Sequence, residues 1–306
     1  MNIEFLNDLD NYIAGKRYRL VNSVLVYEKD EPVFERYYNK SAPDSRNQIK
    51  SVWKSIMSLT LGICLDKGMI PSLDEPVCRY LEPFDNGNHP WHKLITVRHL
   101  LTMSSGIYWT GGIHYHCPMI EQMRRTRDWV EHIADVRMAD FPGTRFVYKE
   151  WDIILLSSLI GKCCGGAAWD ICNDYLYKPL GIAGEEWAWT ECGVSYPSYG
   201  EDMTDALSAR DMAKIGLLML RGGAWNGRRI VSGDYLTQAI TPSPVDSGYG
   251  FLWWLSGNGY HGRGFGGQEL NVYPDVDIVA VVQASVTSSS KSYEDICAGI
   301  IETSPL

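Results

Sequence analysis

The stretch from Ser51 to Gly68, SVWKSIMSLTLGICLDKG, constrains the fold of this chain more than any other. Apolar residues cover most of the circumference that a helix would have here, and Lys54 is the only charged residue before Asp66. Gly68 is well placed to end the helix. A helix that is apolar on nearly every side belongs in the core of a domain, so we expect the rest of the chain to pack around it.

The polar residues of this helix share one face. They recur at the spacing i, i+3, i+4 and i+7: Ser51, Lys54, Ser55 and Ser58. Burial and the positive end of the helix dipole both disfavour an ammonium group in the first turn, so we expect a lowered pKa for Lys54. A neutral Lys54 amine can take a proton from Ser51 one turn earlier. The alternative is an ordinary solvent face, but such a face usually carries more than one charge.

Composition narrows the class of protein. The 306 residues carry a formal charge of −9 without a Lys/Arg tract, which argues against nucleic acid or an anionic membrane as a partner. The first twenty residues show no apolar secretory signal, and no apolar run approaches the ~20 residues that span a bilayer. The eight cysteines show no CxxC spacing and are expected to be reduced thiols. These features predict a cytoplasmic protein.

Hydrophobic periodicity predicts an α/β protein of the α+β type. Five strand-like runs stand near the two ends of the chain: 18–26, 33–38, 249–255, 268–273 and 277–285. Helical patterns accompany them at 3–16, 208–222 and 291–302. Short connections predict a mainly antiparallel five-stranded sheet flanked by helices. We expect residues 1–68 and 205–306 to form one discontinuous sheet domain, with residues 69–204 inserted as a mostly helical domain.

Two further stretches carry weaker signals for chemistry. Ser51 and Lys54 form a Ser-x-x-Lys tetrad, but Ser288 and Lys291 match it too, in a polar loop where we interpret the serine as a helix cap. Tyr148 lies in PGTRFVYKE and can relay protons if a nearby lysine lowers its pKa. It is one of 18 tyrosines, so core packing is the more ordinary explanation for it alone.

The segment YHGRGFGGQ, residues 260–268, is rich in glycine. Its Gly262-x-Gly264-x-x-Gly267 spacing formally matches a dinucleotide-binding fingerprint, but a strand follows it rather than the helix that would hold a pyrophosphate. We therefore expect no nucleotide cofactor. Glycines at this density on a strand allow close backbone approach to a ligand, and the strand can offer an N–H to an oxyanion.

The segment 104–125 has no clear periodicity and holds Tyr108, Trp109, His114 and His116. Loops of this length often border a site, so the two aromatic residues are candidates for lining a substrate pocket. The two histidines lack further ligands at a familiar spacing, and we expect no metal here.

Taken in order, the Ser51-x-x-Lys54 tetrad, Tyr148-x-Glu150 and the glycine strand resemble one family. Supporting pieces include KSIMSLTLGICLDKGMI, ITVRHLLTMSSGI, LSARDMAKIGLLMLRGGAWNGRRIV and YGFLWW, so the resemblance extends from about residue 51 to 268. The chain resembles the serine hydrolases of the penicillin-recognising, class C β-lactamase-like superfamily. Within it, the chain is most similar to the nylon-oligomer (aminohexanoate-dimer) hydrolases and related esterases.

The resemblance implies a role for each matching residue. Ser51 would be the acylated nucleophile, Lys54 the base, and Tyr148 the group that protonates the leaving group and later helps to activate water. The backbone N–H groups of Ser51 and Phe265 would form the oxyanion hole.

The sequence departs from the family pattern at two places. Glu150 stands where Asn is usual, and its carboxylate would favour the ammonium form of Lys54 or bind a cationic or hydroxylated substrate. The triplet Gly262-Arg263-Gly264 replaces the usual Lys/His-Thr/Ser-Gly triplet, with His261 just outside it.

These departures favour an esterase or amidase acting on a small ester, amide or short peptide-like substrate, without a cofactor. Acyl transfer from the same acyl-enzyme and a catalytically silent peptide-binding protein are the alternatives.

Overall fold

The computed structural model describes residues 1–86, 88–111, 117–190, 192–197, 204–287 and 291–302. Within these ranges ten strands form: β1 Val21–Glu28, β2 Glu31–Tyr37, β3 Arg46–Gln48, β4 Ala206–Ser208, β5 Ala224–Trp225, β6 Arg228–Arg229, β7 Trp254–Ser256, β8 Gly259–Gly264, β9 Gln268–Tyr273 and β10 Ile278–Ala284.

The same ranges contain twelve α-helices: α1 Ile3–Asn7, α2 Leu9–Gly15, α3 Val52–Asp66, α4 Val97–Leu101, α5 Pro118–Met123, α6 Trp129–Ala134, α7 Glu150–Cys164, α8 Ala168–Cys172, α9 Lys178–Leu180, α10 Ala209–Leu220, α11 Gly233–Ala239 and α12 Glu294–Ile301. A π-helical turn at Asn173–Tyr177 joins α8 to α9, and short 3₁₀ turns form at Val77–Arg79, Glu82–Phe84, Pro90–Leu94 and Pro274–Val276.

The main sheet has the strand order β2-β1-β10-β9-β8-β7, and every neighbouring pair is antiparallel. The β-branched sequence IVAVVQA of β10 is buried throughout and lies beside β1, so the two ends of the chain meet in the middle of the sheet. The prediction of an antiparallel sheet flanked by helices is confirmed.

The sheet contains six strands rather than the five that were expected. Gly259–Gly264 forms the additional strand β8, which pairs with β9 on one side and β7 on the other. The predicted strand 249–255 is mostly loop, because Leu252 adopts a left-handed φ of 61° that interrupts the extended run. The predicted helix 3–16 likewise forms two helices that meet at Asp8.

Helix α3 is buried from Val52 to Cys64 and contacts α7, α8, α11 and the sheet. Gly68, at a φ of 69°, follows its last turn. The polar face is not a solvent face, because Lys54, Ser55 and Ser58 are at most 2% exposed. Two of these side chains find partners in the core: Ser55 donates to the Leu252 carbonyl at 2.8 Å, and Ser58 shares a 3.0 Å hydrogen bond with the Tyr235 hydroxyl.

Between α3 and β4, the secondary-structure elements assigned to the described residues are all helical, from Val77–Arg79 to Lys178–Leu180, with loops between them. The separation of this segment as a domain at residues 68 and 205 stays a prediction, since α3 packs against both the sheet and α7. Over the described ranges, no single helix is long and apolar enough to cross a membrane. The pair Glu150–Cys164 and Ala168–Leu180, bent by 77°, passes that test on length and composition alone. The cytoplasmic location stays a prediction.

Candidate active site

Ser51 and Lys54 meet at the first turn of α3. Ser51 is the N-cap residue, and Lys54 Nζ lies 3.0 Å from Ser51 Oγ, as the spacing of three predicts. Lys50, immediately before the serine, has a left-handed φ of 53°, which places a sharp backbone turn just ahead of Ser51. The hydroxyl and the amine are therefore within hydrogen-bonding distance.

Glu150, the first residue of α7, points at Lys54. Its Oε1 lies 2.9 Å from Lys54 Nζ, and its Oε2 accepts a 2.6 Å hydrogen bond from the Tyr196 hydroxyl. The Lys54 side chain is 2% exposed and that of Glu150 is 20% exposed, so water screens this ion pair weakly. Glu150, which stands where the family usually has Asn, thus directly contacts Lys54, the expected base.

The environment of Lys54 raises its pKa. Burial alone lowers the pKa, as expected from the sequence, but the negative charge of Glu150 and the nearby Tyr148 outweigh burial. The prediction from sequence that the pKa of Lys54 is lowered is therefore wrong for the unliganded protein. Lys54 holds its proton at neutral pH and must lose it before it can accept one from Ser51.

Tyr148 lies over the same ammonium group. Its ring centroid is 5.2 Å from Lys54 Nζ, and the indole of Trp254 stacks on it at 5.5 Å. Burial raises the pKa of Tyr148, Lys54 lowers it and Glu150 raises it, with a net increase. Tyr148 is therefore a neutral phenol, able to donate a proton rather than accept one.

A cavity of about 220 Å³ opens beside Ser51 and continues past the end of β8. Its wall consists of Ser51, Tyr148, Trp254, Arg263, Gly264, Phe265, Gly267, Gln268, Glu269, Lys291, Ser292 and Glu294. Gly264 lies so close to the carbonyl of Ile49 that a Cβ would collide with it. The glycine strand therefore runs directly beside the backbone that leads into Ser51, as a shared oxyanion hole requires.

A family model described as Beta-lactamase matches residues 9–296 of this chain. The chain belongs to the β-lactamase family. A curated relative, the 6-aminohexanoate-dimer hydrolase of Paenarthrobacter ureafaciens, is 23% identical over 292 residues, covering 86% of this chain and 72% of the relative.

Solved structures with low sequence identity share the fold of this chain. A putative beta-lactamase from Bacteroides dorei superposes with a TM-score of 0.77 at 16% identity, covering 96% of each chain. A D-stereospecific amidohydrolase from Streptomyces sp. superposes with a TM-score of 0.72 at 18% identity, covering 99% of this chain and 100% of the other. The prediction of a β-lactamase-like serine hydrolase is confirmed at the level of the family, while the roles of individual residues stay predictions.

The structure brings together only some of the substrate-binding candidates. Arg263 and Gly264 line the cavity beside Ser51, together with Phe265. His261 is buried in the sheet, where its ring nitrogens pair with Ser256 and Asn271 at 2.7 Å each. It lies outside the lining of this cavity.

The aromatic candidates of segment 104–125 lie apart from this cavity wall. Trp109 packs edge-on against Trp151 at 4.9 Å, and the Arg137 guanidinium covers the ring of Tyr108 at 3.7 Å. His114 and His116 fall outside the described residues. Over the part of the chain that is described, no group of three or more His, Cys, Asp and Glu residues could hold a metal ion.

Sequence reasoning missed Tyr196, Trp254 and Glu269. Tyr196 holds Glu150, Trp254 holds the Tyr148 ring, and Glu269 lines the cavity. Residue type gave little signal for any of them, because each is one of many similar residues. Arg263 and Glu269 stand opposite one another on β8 and β9, and this proximity depends on the pairing of the two strands.

A second buried lysine fixes the turn that carries Tyr148 and Glu150. Lys149 lies between them, and its Nζ is 3.1 Å from Ser105 Oγ and 3.6 Å from the Asp152 carboxylate. Ser105, Lys149 and Asp152 are at most 1% exposed. This network ties the start of α7 to the segment after α4 and so orients the residues on either side of Lys149.

The helices that carry Ser51 and Glu150 also meet at their far ends. Cys64, near the end of α3, and Cys164, at the end of α7, place their Sγ atoms 3.9 Å apart. The Sγ of Cys164 lies 3.4 Å from the sulfur of Met69 as well. The helix that carries Ser51 and the helix that carries Glu150 are thus in contact at both ends.

Proposed function

We propose that this protein is a serine hydrolase that cleaves small ester or amide substrates through an acyl-enzyme on Ser51. The observation that carries the proposal is the 3.0 Å contact between Ser51 Oγ and Lys54 Nζ at the wall of a cavity that Tyr148 and Phe265 also line. A nucleophile, a proton donor and a candidate oxyanion donor then border one space, and the buried base is hydrogen-bonded to the nucleophile.

The reaction proceeds in two halves. Deprotonated Lys54 accepts the hydroxyl proton of Ser51 while Oγ attacks the carbonyl carbon, and the backbone N–H groups of Ser51 and Phe265 bind the resulting oxyanion. Tyr148 gives its proton to the departing alcohol or amine, which leaves Ser51 acylated. Water then attacks the acyl carbon and gives a proton to Tyr148. Lys54 returns its proton to Ser51 Oγ as the bond to the acyl group breaks, and the acid is released.

Two observations favour simple esters and amides over β-lactams. Arg263, at the position that would hold a β-lactam carboxylate, is already paired with Glu294 at 3.0 Å. The relatives named above act, by their names, on an aminohexanoate dimer and as an amidohydrolase, which supports amide substrates for this chain as well.

The Lys54–Glu150 ion pair, at 2.9 Å, favours one other function. A lysine held in its ammonium form is a poor base, so the same site could bind a peptide-like ligand without turnover. The two functions differ in whether Ser51 becomes acylated.

Covalent labelling distinguishes these functions. The protein is incubated with a fluorophosphonate or with nitrophenyl acetate, and its intact mass is measured beside that of a Ser51→Ala variant. We expect one adduct in the native protein and none in the variant. Equal masses for both proteins after prolonged incubation at pH 9 would contradict the hydrolase and leave the binding protein.

A further inference from the structure

Asp205 is a buried acidic residue beside the turn that leads into Ser51. It comes directly before β4 and is 2% exposed. Strands β3 and β4 pair antiparallel as far as Gln48 and Ala206. The pairing continues one position further, where the Ile49 backbone N–H donates to the Asp205 carbonyl at 3.1 Å. Asp205 therefore lies against the backbone that turns into α3.

The side chain of Asp205 holds the next residue of this turn. Its Oδ2 accepts a 2.8 Å hydrogen bond from the Lys50 backbone N–H. Lys50 has a left-handed φ of 53°, a conformation that is unfavourable for a residue with a Cβ. Such a conformation persists only where the surroundings impose it, and a hydrogen bond to a carboxylate is stronger than one to a neutral acceptor. The carboxylate of Asp205 therefore helps to impose the turn at Lys50.

The turn sets the direction of the Ser51 backbone N–H. The Lys50 carbonyl accepts a 3.0 Å hydrogen bond from the Trp53 backbone N–H, so this carbonyl points into the first turn of α3. In a planar trans peptide the N–H points opposite to the carbonyl, so the Ser51 N–H points out of the helix. Ser51 borders the cavity, and its N–H is one of the two donors of the proposed oxyanion hole.

The second donor lies against the same turn. Phe265 follows Gly264, which approaches the Ile49 carbonyl so closely that a Cβ would collide with it. The N–H of Ile49 is bound to Asp205. A displacement of Ile49 would therefore change the distance between the N–H groups of Ser51 and Phe265.

The charge of Asp205 offers a competing explanation for its presence. The Lys50 side chain is buried, which lowers its pKa, while the negative charge of Asp205 raises it, with a net decrease. Asp205 could thus serve only to balance the charge of this lysine. In that case the charge of residue 205 would matter for activity, and the position of its oxygen atoms would not.

We propose that Asp205 is a positioning residue for acylation, which holds the Ser51 backbone N–H where it can bind the oxyanion. The inference rests on the proposed hydrolase function and adds to it a residue that lies outside the lining of the cavity. An oxyanion donor acts mainly in the transition state. A displaced N–H should therefore lower kcat and leave KM nearly unchanged.

Two variants separate the position of the acceptor from its charge. Asp205→Asn keeps an acceptor oxygen at the same distance from the backbone, whereas Asp205→Glu keeps the charge and moves the oxygens by one methylene. The burst of nitrophenol during acylation by nitrophenyl acetate gives a rate constant that does not depend on the fraction of folded protein. We expect this rate within threefold of native for Asp205→Asn and at least tenfold lower for Asp205→Glu, with KM within threefold of native. Equal rates or the opposite ranking would overturn the proposal.

Phenylboronic acid probes the oxyanion hole directly, because its tetrahedral adduct with Ser51 places an oxygen there. We expect its inhibition to weaken at least tenfold in Asp205→Glu and less than threefold in Asp205→Asn. Asp66→Glu is the matched control, since Asp66 Oδ2 accepts the Ser232 backbone N–H at 2.6 Å at the far end of α3. Equal weakening in Asp66→Glu and Asp205→Glu would refute a specific role for Asp205.

Amide hydrogen exchange at Lys50 distinguishes failure of this inference from failure of the proposed function. Exchange does not depend on activity, and it should be at least tenfold faster in Asp205→Glu than in Asp205→Asn. Equal exchange in both variants would show that the carboxylate does not hold the turn. If the native protein is not acylated by nitrophenyl acetate, the proposed function fails, and exchange still decides whether Asp205 holds Lys50.

Discussion

Lys54 is subject to two opposing effects. Its position in the first turn of a buried helix lowers its pKa, while the Glu150 carboxylate at 2.9 Å raises it, and Glu150 prevails. The net effect makes the proton on Lys54 an obstacle to catalysis at neutral pH. The rate of acylation should therefore rise with pH until Lys54 titrates.

Glu150→Gln should shift the rate–pH profile to lower pH. Glutamine keeps the shape of the side chain, and its single amide oxygen can still accept from Lys54. It removes the charge that stabilises the ammonium form, so the neutral amine becomes available at lower pH. We expect the acidic limb of kcat/KM for nitrophenyl acetate to move by about one pH unit or more, within the range for loss of an adjacent opposite charge. Glu185→Gln, which removes an exposed carboxylate paired with Arg46, is the control. An unchanged profile in Glu150→Gln would show that Glu150 does not govern Lys54.

The sequence predicted the contact between Ser51 and Lys54 correctly, but it did not predict the protonation state of Lys54. Ser51 and Lys54 are one helical turn apart, so their contact follows from local geometry alone. Glu150 is 96 residues away from Lys54, and its contact depends on how α7 packs against α3. The sign of a pKa shift depends on such distant charges, which no local pattern contains.

At the scale of single elements, strand β8 combines an open edge with a buried titratable group. Residues 262–264 extend beyond the paired part of β7, and Arg263 and Gly264 border the cavity, while His261 lies inside the sheet. Burial, together with the positive charge of Arg263, lowers the pKa of His261 to about 4. The imidazole is therefore neutral in the folded protein near neutral pH.

The buried His261 should make the fold sensitive to acid. Between an unfolded pKa of about 6.5 and the folded value near 4, the unfolded chain binds a proton that the folded chain does not. The contribution of His261 to the free energy of unfolding is therefore fully present above pH 6.5. It is lost as the pH falls through this window, and the loss amounts to about 3 kcal/mol. Urea unfolding at several pH values should show a smaller loss for His261→Gln than for the native protein. Parallel curves for the two proteins would contradict this expectation.

The elements that the sequence misplaced share a physical cause. Glycines and a histidine gave β8 a weak strand pattern, although pairing with β7 and β9 holds it extended. Conversely, YGFLWWL has strong strand propensity, but the left-handed Leu252 and the packing of its aromatic rings impose a loop. The periodic helix α10 was predicted correctly, because its apolar face packs directly into the core.

At the scale of the whole molecule, one core joins the two predicted domains. A continuous cluster of buried side chains includes Leu25 and Val281 of the sheet, Trp53 of α3 and Leu155 of α7. Short connections predicted that the sheet is mainly antiparallel, whereas the order of the strands and the merging of the cores depend on three-dimensional packing. Sequence patterns indicate where one kind of secondary structure gives way to another. They do not indicate how much surface the two predicted domains bury against each other.

We expect the chain to unfold in a single transition, because separating the two predicted domains would expose α3 on both sides. Far-UV circular dichroism and tryptophan fluorescence should give coincident urea curves. Two separated transitions would show instead that residues 69–204 form an independent folding unit.

The thiols at the far ends of α3 and α7 give this helix pair a dependence on redox conditions. The hydrogen bond between them raises the pKa of Cys64 and lowers that of Cys164, and Cys164 is partly exposed. Hydrogen peroxide should convert the two thiols to a disulfide, taking up two electrons and two protons to form water. Mass spectrometry should detect the bond in the native protein but not in Cys64→Ser. Such a bond would link α3, which begins after Ser51, to α7, which begins at Glu150. Oxidation would then restrict the relative motion of these two helices.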